Sequence, residues 1–340
     1  MDAASKPLIL VTGGTGYIGS HTVVELQQRG YKVLIADNLS NSHKEVLGNI
    51  EKITGVHPHF VKADLSDKAM ARQLFTDYPI EAVIHFAAFK AVGESVEKPL
   101  EYYRNNLDSL MNLMELCLEY KVQHFVFSSS CSVYGNAITL PIDELSPVQV
   151  AESPYANTKK VGEDILRDTA KACSINITAL RYFNPVGAHK SGLIGELPLG
   201  TPMNLFPVVM QTASGKRGKM MVFGNDYDTP DGSCIRDYIH VMDVAAAHVS
   251  AIDRMLGGKQ KAKYELYNIG TGKGLSVLEV LHAFERITGI KVHYEITGRR
   301  EGDVVKIYAD TTLANTELGW RAERTLDDMI QTAWQWQQKL

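Results

Sequence analysis

A phenol and an ammonium group stand four residues apart in Ser153-Pro154-Tyr155-Ala156-Asn157-Thr158-Lys159. On a helix, positions i and i+4 share a face, so both heads can enter one cleft. Ser153 followed by Pro154 predicts the helix start: a capping hydroxyl, then a ring whose fixed φ suits the first turn. A tyrosine in water loses its proton near pH ~10, and a neighbouring ammonium favours the phenolate. Such a pair could take a proton from an alcohol at neutral pH. The same spacing also occurs on ordinary surface helices, so it decides little alone. Upstream, Val122 to Ser128 reads as a strand that runs into Ser128-Ser129-Ser130-Cys131-Ser132. Those hydroxyls could relay a proton or could simply form a turn.

The elements that would position this chemistry begin at the N-terminus. Leu8-Ile9-Leu10-Val11 is wholly apolar, as a strand buried on both faces of a parallel sheet should be. It meets Thr12-Gly13-Gly14-Thr15-Gly16-Tyr17-Ile18-Gly19, whose glycines satisfy the dinucleotide fingerprint. They permit a tight turn, close approach of a pyrophosphate and close helix–strand packing. A helix to Gly30 follows, its N–H groups aimed at phosphates. Lys32 to Asp37 is the second strand, and Asp37 falls 21 residues after Gly16. An acid there accepts from the adenosine ribose and repels a 2′-phosphate, which favours NAD over NADP. His59 to Leu65 predicts a third strand, with Asp64 at its end or capping the next helix. Ala82 to Phe86 is a fourth, followed by Ala87-Ala88-Phe89-Lys90.

Composition fits this frame. Apolar content of 45% and charged content of 22% over 340 residues are those of a soluble globular chain. A net charge of −4 without blocks of like charge argues against nucleic-acid or anionic-membrane surfaces. The four cysteines are scattered, and His57-x-His59 has no second ligand pair, so no metal is expected. Lys6 before an apolar run of four residues resembles neither a leader nor a membrane span, and cytoplasm is the expectation. After Tyr182 the strand–helix rhythm loosens. Pro185 to Asn204 reads as a long binding loop. Helices are expected at 203–214, 245–256, 276–287 and 325–340, the third with a Ser276/Glu279 capping box.

Taken together, Thr12–Gly19, Asp37, Ser128–Gly135 and Tyr155-x-x-x-Lys159 resemble the extended short-chain dehydrogenase/reductases. Phe86 to Ser95, Arg181 to His189, Gly224 to Tyr227, Arg236 to Val241 and Arg299 to Asp303 narrow the resemblance to their UDP-galactose 4-epimerase branch, over essentially the whole chain. That resemblance implies an α/β fold: a Rossmann-type doubly wound parallel sheet over 1–180 that binds NAD. A smaller mixed α/β substrate domain would follow over 181–340, some of its segments returning to the first. It implies Ser130, Tyr155 and Lys159 as catalytic. Around NAD it implies Gly13, Gly16, Tyr17, Ile18, Gly19, Asp37, Asn38, Leu39, Ser40, Asn41, Ser42, Asp64, Leu65, Phe86, Ala87, Ala88, Phe89, Lys90, Asn105 and Phe183. For a UDP-hexose it implies Lys90, Asn184, Asn204, Leu205, Met221, Val222, Phe223, Arg236, Arg300, Asp303 and Ile307. Guanidinium forks at Arg236 and Arg300 suit a diphosphate in their own right.

The activity implied is reversible inversion at C4 of UDP-galactose and UDP-glucose through a 4-keto sugar, in a homodimer built from helices near 92–118 and 155–173. The chain departs from the branch at Ala88-Phe89, Ala156-Asn157 and Cys131-Ser132. Ile307 falls where the branch varies in bulk, and so bears on the sugar accepted. A 4,6-dehydratase needs an Asp-Glu pair where Cys131 and Ser132 stand. UDP-N-acetylhexosamine or UDP-pentose 4-epimerases and a catalytically silent NAD sensor remain as alternatives.

Overall fold

The computed structural model describes residues 6–137, 139–200, 202–300 and 302–340. Strands and helices alternate from the start: β1 (Leu8–Thr12), α1 (Tyr17–Gln28), β2 (Lys32–Asp37), α2 (Val46–Thr54), β3 (His59–Lys62), α3 (Lys68–Asp77) and β4 (Ile80–His85). Three short helices follow, α4 (Val92–Glu97), α5 (Pro99–Tyr103) and α6 (Ser109–Glu119), then β5 (His124–Ser130), α7 (Pro154–Ala172) and β6 (Asn176–Tyr182). The second half comprises β7 (Asn184–Val186), α8 (Leu205–Ala213), β8 (Met220–Phe223), β9 (Ile235–Arg236), β10 (Tyr238–His240) and α9 (Val241–Leu256). It ends with β11 (Tyr264–Ile269), β12 (Leu275–Ser276), α10 (Val277–Thr288), β13 (Tyr294–Thr297), β14 (Lys306–Ile307) and α11 (Leu326–Gln337).

Among the described residues, the main sheet has seven strands, all parallel, in the order β3-β2-β1-β4-β5-β6-β11. Both faces are covered, which is why the central strands are apolar throughout. Ile9, Val11, Val33, Ile35 and Ile84 pack on α1 and α9, while Leu10, Leu34, Val83, Phe125 and Phe127 face α3, α6 and α7. Strand order reverses direction at β1, between β2 and β4, so loops leaving their carboxyl ends diverge and open a crevice. Residues 241–269 come back to this sheet. Helix α9 lies against it, and β11 extends it beside β6 from Tyr264↔Ile177 to Ile269↔Tyr182.

A smaller layer gathers α8, α10 and α11 around β8 and β10 through Phe206, Val209, Val222, Leu281, Phe284 and Ile330. Local signals behave as their chemistry requires. Ser153 Oγ accepts from the Ala156 amide at 3.2 Å, and Ser276 with Glu279 closes a reciprocal capping box. Boundaries move where side chains find other partners. Strand β5 extends to Ser130 because Ser128, Ser129 and Ser130 all pair with β6. Helix α8 starts at Leu205, since Asn204 is extended. Asp67, not Asp64, caps α3, and Asp64 instead accepts from Ser66.

Four histidines are folded into this core: His21, His85, His240 and His248, each at most 2% exposed. Burial holds the imidazoles of His21, His85 and His240 down to about 3 and that of His248 to about 4. The unfolded chain protonates them near pH ~6.5 while the folded one does not, so stability present above that pH is lost as pH falls toward 3–4. At roughly 1.4 kcal/mol per group per pH unit, chemical denaturation should show stability lower by several kcal/mol at pH 5.5 than at pH 7.5. Equal denaturation midpoints at the two values would contradict this.

Candidate active site

The corner expected to be catalytic is made by the last residue of β5 and the first turns of α7. Ser130 is 8% exposed, and its Oγ accepts from the Ser132 amide at 3.2 Å. The Tyr155 phenol is pushed up to about 12, by burial first, with the facing Ser130 hydroxyl drawing it back. Lys159, 5% exposed, donates from Nζ to the Ser128 carbonyl at 2.7 Å and lies 5.0 Å from the centre of the Phe127 ring. Burial lowers its ammonium to about 8, with Glu163 opposing. In the protein alone the phenol is thus governed by desolvation, and the Lys159 ammonium commits a proton to a backbone carbonyl.

The glycine turn is built for close approach. Gly13 has φ +69°, and a Cβ there would sit 2.8 Å from the Ala87 nitrogen; a Cβ on Gly19 would collide with the Gly13 carbonyl oxygen. Gly16, at the N-terminus of α1, is different: among the described residues a Cβ there would meet only the Gly13 oxygen, at 3.2 Å, and no side chain of theirs caps the helix. Free amides over open space fit a pyrophosphate. Asp37 ends β2, accepting from Thr15 N at 3.2 Å, Leu39 N at 2.8 Å and Ser42 Oγ at 3.1 Å. Asn38 turns the loop through Ser40, and Leu39 takes a left-handed φ of 62°. Asn38 to Ser42 thus surround this carboxylate, while Asp64 and Leu65 follow β3, which stops at Lys62. Those features fit an adenosine dinucleotide with free ribose hydroxyls. Phe86, Ala87, Ala88 and Phe89 leave β4 over the same crevice, and Asn106 pins Phe89 through both its N and O. Asn105 lies beside it, in a π-helical turn between α5 and α6.

Across the crevice, Arg236 and Arg300 converge on Asp303. Arg300 holds it at 2.6 and 3.2 Å, and Arg236 reaches it at 3.8 Å. Arg300 also lies over Phe223 on β8, beside Met221 and Val222. Glu301 lies outside the described residues. Ile307 on β14 pairs with Arg236 and packs at 6% exposure with Phe183 and Cys131. Cys131 connects the two sides, since it feels Arg236 and raises the Tyr155 phenol. Asn184 starts β7, and Asn204 and Leu205 start α8. Lys90 faces Glu196 at 3.6 Å.

The family described as GDP-mannose 4,6 dehydratase matches residues 10–333. The UDP-glucose 4-epimerase of Yersinia enterocolitica is 50% identical over 331 residues, 97% of each chain. The chain belongs to the UDP-glucose 4-epimerase family. It is one of the extended short-chain dehydrogenase/reductases. Solved epimerases of this family share its fold. That of Stenotrophomonas maltophila, with bound NAD and formylated UDP-arabinopyranose, is 47% identical with a TM-score of 0.95, covering 98% of each chain. That of Bifidobacterium longum, in complex with NAD+ and UDP, is also 47% identical with a TM-score of 0.93 and 98% coverage of both.

Two contacts in this epimerase-family site carry no local mark in the sequence. Tyr17 donates to the Gly187 carbonyl at 2.6 Å, across 170 positions, and Glu196 joins Lys90 to the Asn204 amide. A further residue, Glu163, follows Lys159 by one helical turn, and that spacing could have revealed it. Gly19→Ala should cost about 1–3 kcal/mol of stability through overpacking against Gly13. It should also lose dinucleotide, as read by absorbance of the purified protein near the adenine band. Full cofactor content at unchanged stability would contradict this account of the turn.

Proposed function

We infer that the protein interconverts UDP-galactose and UDP-glucose by reversible inversion at C4 with a tightly held NAD. The observation that carries this is one crevice bearing Ser130, Tyr155 and Lys159 on one wall and Arg236 and Arg300 on the other, beneath a dinucleotide turn. Asp37 already accepts three donors in the protein, and a 2′-phosphate beside it would meet like charge in a partly dry pocket.

Tyr155 takes the proton of the C4 hydroxyl, with Ser130 sharing the hydrogen-bond path. When bound, NAD supplies the hydride acceptor and a positive charge that favours the phenolate. Arg236 and Arg300 exchange Asp303 for the diphosphate and keep it anchored. The planar 4-keto sugar can then turn over while tethered and be reduced on its other face. Lys159, charged at neutral pH, would hold the cofactor's ribose. The dehydratase reaction lacks its acid and base. The Cys131 thiol is pushed up to about 12 by burial, and Ser132 offers only a hydroxyl. A second copy of the chain would cover the exposed apolar side chains Val92, Val96, Leu100 and Met111 on α4–α6, giving a homodimer. All four cysteines are free, which suits the cytoplasm, and among the described residues no helix is long and apolar enough to cross a membrane.

UDP-galactose supplied to the protein should yield UDP-glucose, read by a coupled dehydrogenase; absence of product from NAD-replete protein would overturn the reading. Tyr155→Phe removes only the acidic oxygen, so folding and NAD content should persist while kcat falls by about 10²–10⁴-fold. Wild-type turnover by that variant would remove Tyr155 from the mechanism. Ile307 is β-branched and packed against Phe183, so it cannot swing aside for an N-acetyl group. Such an amide would also lose water without a new partner. Ile307→Ser should raise kcat/KM for UDP-N-acetylglucosamine while leaving UDP-glucose nearly unchanged. Equal kcat/KM for both sugars in the unmutated protein would show that Ile307 is no gate.

A further inference from the structure

Glu163 is a carboxylate buried to 2% exposure that none of the steps above uses. It lies on α7, one turn beyond Lys159 and two beyond Tyr155, on the face turned toward the sheet. Its Oε1 accepts from Ser129 Oγ at 2.5 Å and from Arg181 Nε at 2.8 Å, and its Oε2 accepts from Arg181 Nη2 at 2.5 Å. Arg181 comes from β6 and is equally buried. A parallel fork of this kind is the strong geometry for the pair. Ser129 stands between Ser128, whose carbonyl holds the Lys159 ammonium, and Ser130, whose hydroxyl faces Tyr155. One carboxylate therefore joins the helix carrying two catalytic groups to the strand residue between their two partners.

Stability alone does not account for this arrangement, because buried ion pairs are often replaceable by apolar side chains at no loss. We propose that Glu163 is a positioning residue for the catalytic corner. Through Ser129 and Arg181 it locks the end of β5 against α7, so that the Ser130 hydroxyl, the Tyr155 phenol and the Lys159 ammonium keep their register during turnover. The proposal rests on the epimerase reading.

The pair also sets the charge around Lys159. That ammonium faces His85 from β4 and Glu163 on its own helix. Glu163 in turn faces Arg181 of β6, Arg167 of α7 at 3.9 Å, and Tyr264 of β11. With Glu163→Gln, the Arg181 guanidinium loses its buried counter-charge and Lys159 loses the carboxylate that raises it, so the ammonium gives up its proton at lower pH. The alkaline limb of the rate profile should move down. A merely structural brace would not move it.

The test uses NAD-replete wild type, Ser129→Ala, Glu163→Gln and the double variant, assayed from UDP-galactose to UDP-glucose across pH. Ser129→Ala should lower kcat about 3–10-fold at unchanged KM, since small misplacements of reacting groups have effects of that order. Glu163→Gln should lower it about 10–100-fold and shift the alkaline limb down by about one pH unit. The double variant should be no slower than Glu163→Gln, because both changes break the same bond. Folded single variants with kcat and alkaline limb within twofold of wild type overturn the proposal, even if their Tm falls. Should Glu163→Gln fail to fold, wild-type kcat in Ser129→Ala overturns it. An inactive wild type instead overturns the epimerase reading and the clamp together, so the two failures are distinguishable.

Discussion

The ammonium of Lys159 is carried to a place water scarcely reaches, and much of the surrounding structure answers that constraint. Burial draws it down to about 8, close to where it would lose the charge its role needs. A backbone carbonyl accepts its proton, an aromatic face lies beside it, and a carboxylate one turn away opposes the desolvation. The neighbouring phenol meets the reverse difficulty, since burial disfavours its charged form as well. The phenol is neutral and the ammonium keeps its charge only narrowly, so on the proposed mechanism they become an acid–base pair when a further positive charge joins them. The chemistry is thereby confined to the cofactor-loaded protein.

The fold makes this tolerable by placing both groups on rigid elements. Helix α7 packs across β5 and β6, and Gly162 lets it come close: a Cβ there would meet the Phe127 ring at 3.0 Å. The reversal of strand order at β1 opens the crevice, and the return of α9 and β11 to the sheet ties the second half of the chain to the first. Asp237, beside Arg236, accepts from Thr271 and Gly272 of one loop and from Ala309 of another, fixing both beside Arg236. Precision on the sugar side is thus inherited from buried polar anchors rather than from loops alone.

Much of this was legible in the residues, and the exceptions have physical reasons. Central strands declared themselves because both faces are apolar, and the glycine turn because its spacing is dictated by steric contact. Ser153 and Ser276 marked helix starts, since each cap is a local bond. Illegible features depended on distant partners. Nothing near Tyr17 announces Gly187, and nothing near Lys90 announces Glu196. The net upward shift at Tyr155 was not legible for a related reason. Sequence spacing gives proximity, whereas burial, which dominates the phenol, is a property of the assembled core. The extension of β5 to Ser130 was likewise hidden, because serines in a strand are supported by β6 rather than by their own propensity.

The central claim is that the C4 hydrogen leaves as hydride and returns to the same carbon without meeting solvent. Converting UDP-galactose to UDP-glucose in heavy water, with proton and deuterium NMR of the product, tests it most directly. Full retention of protium at C4 is the predicted result, because the hydride never enters the solvent pool. Deuterium incorporated at C4 would contradict the account, since it would mean that the carbon is deprotonated and reprotonated by exchangeable groups.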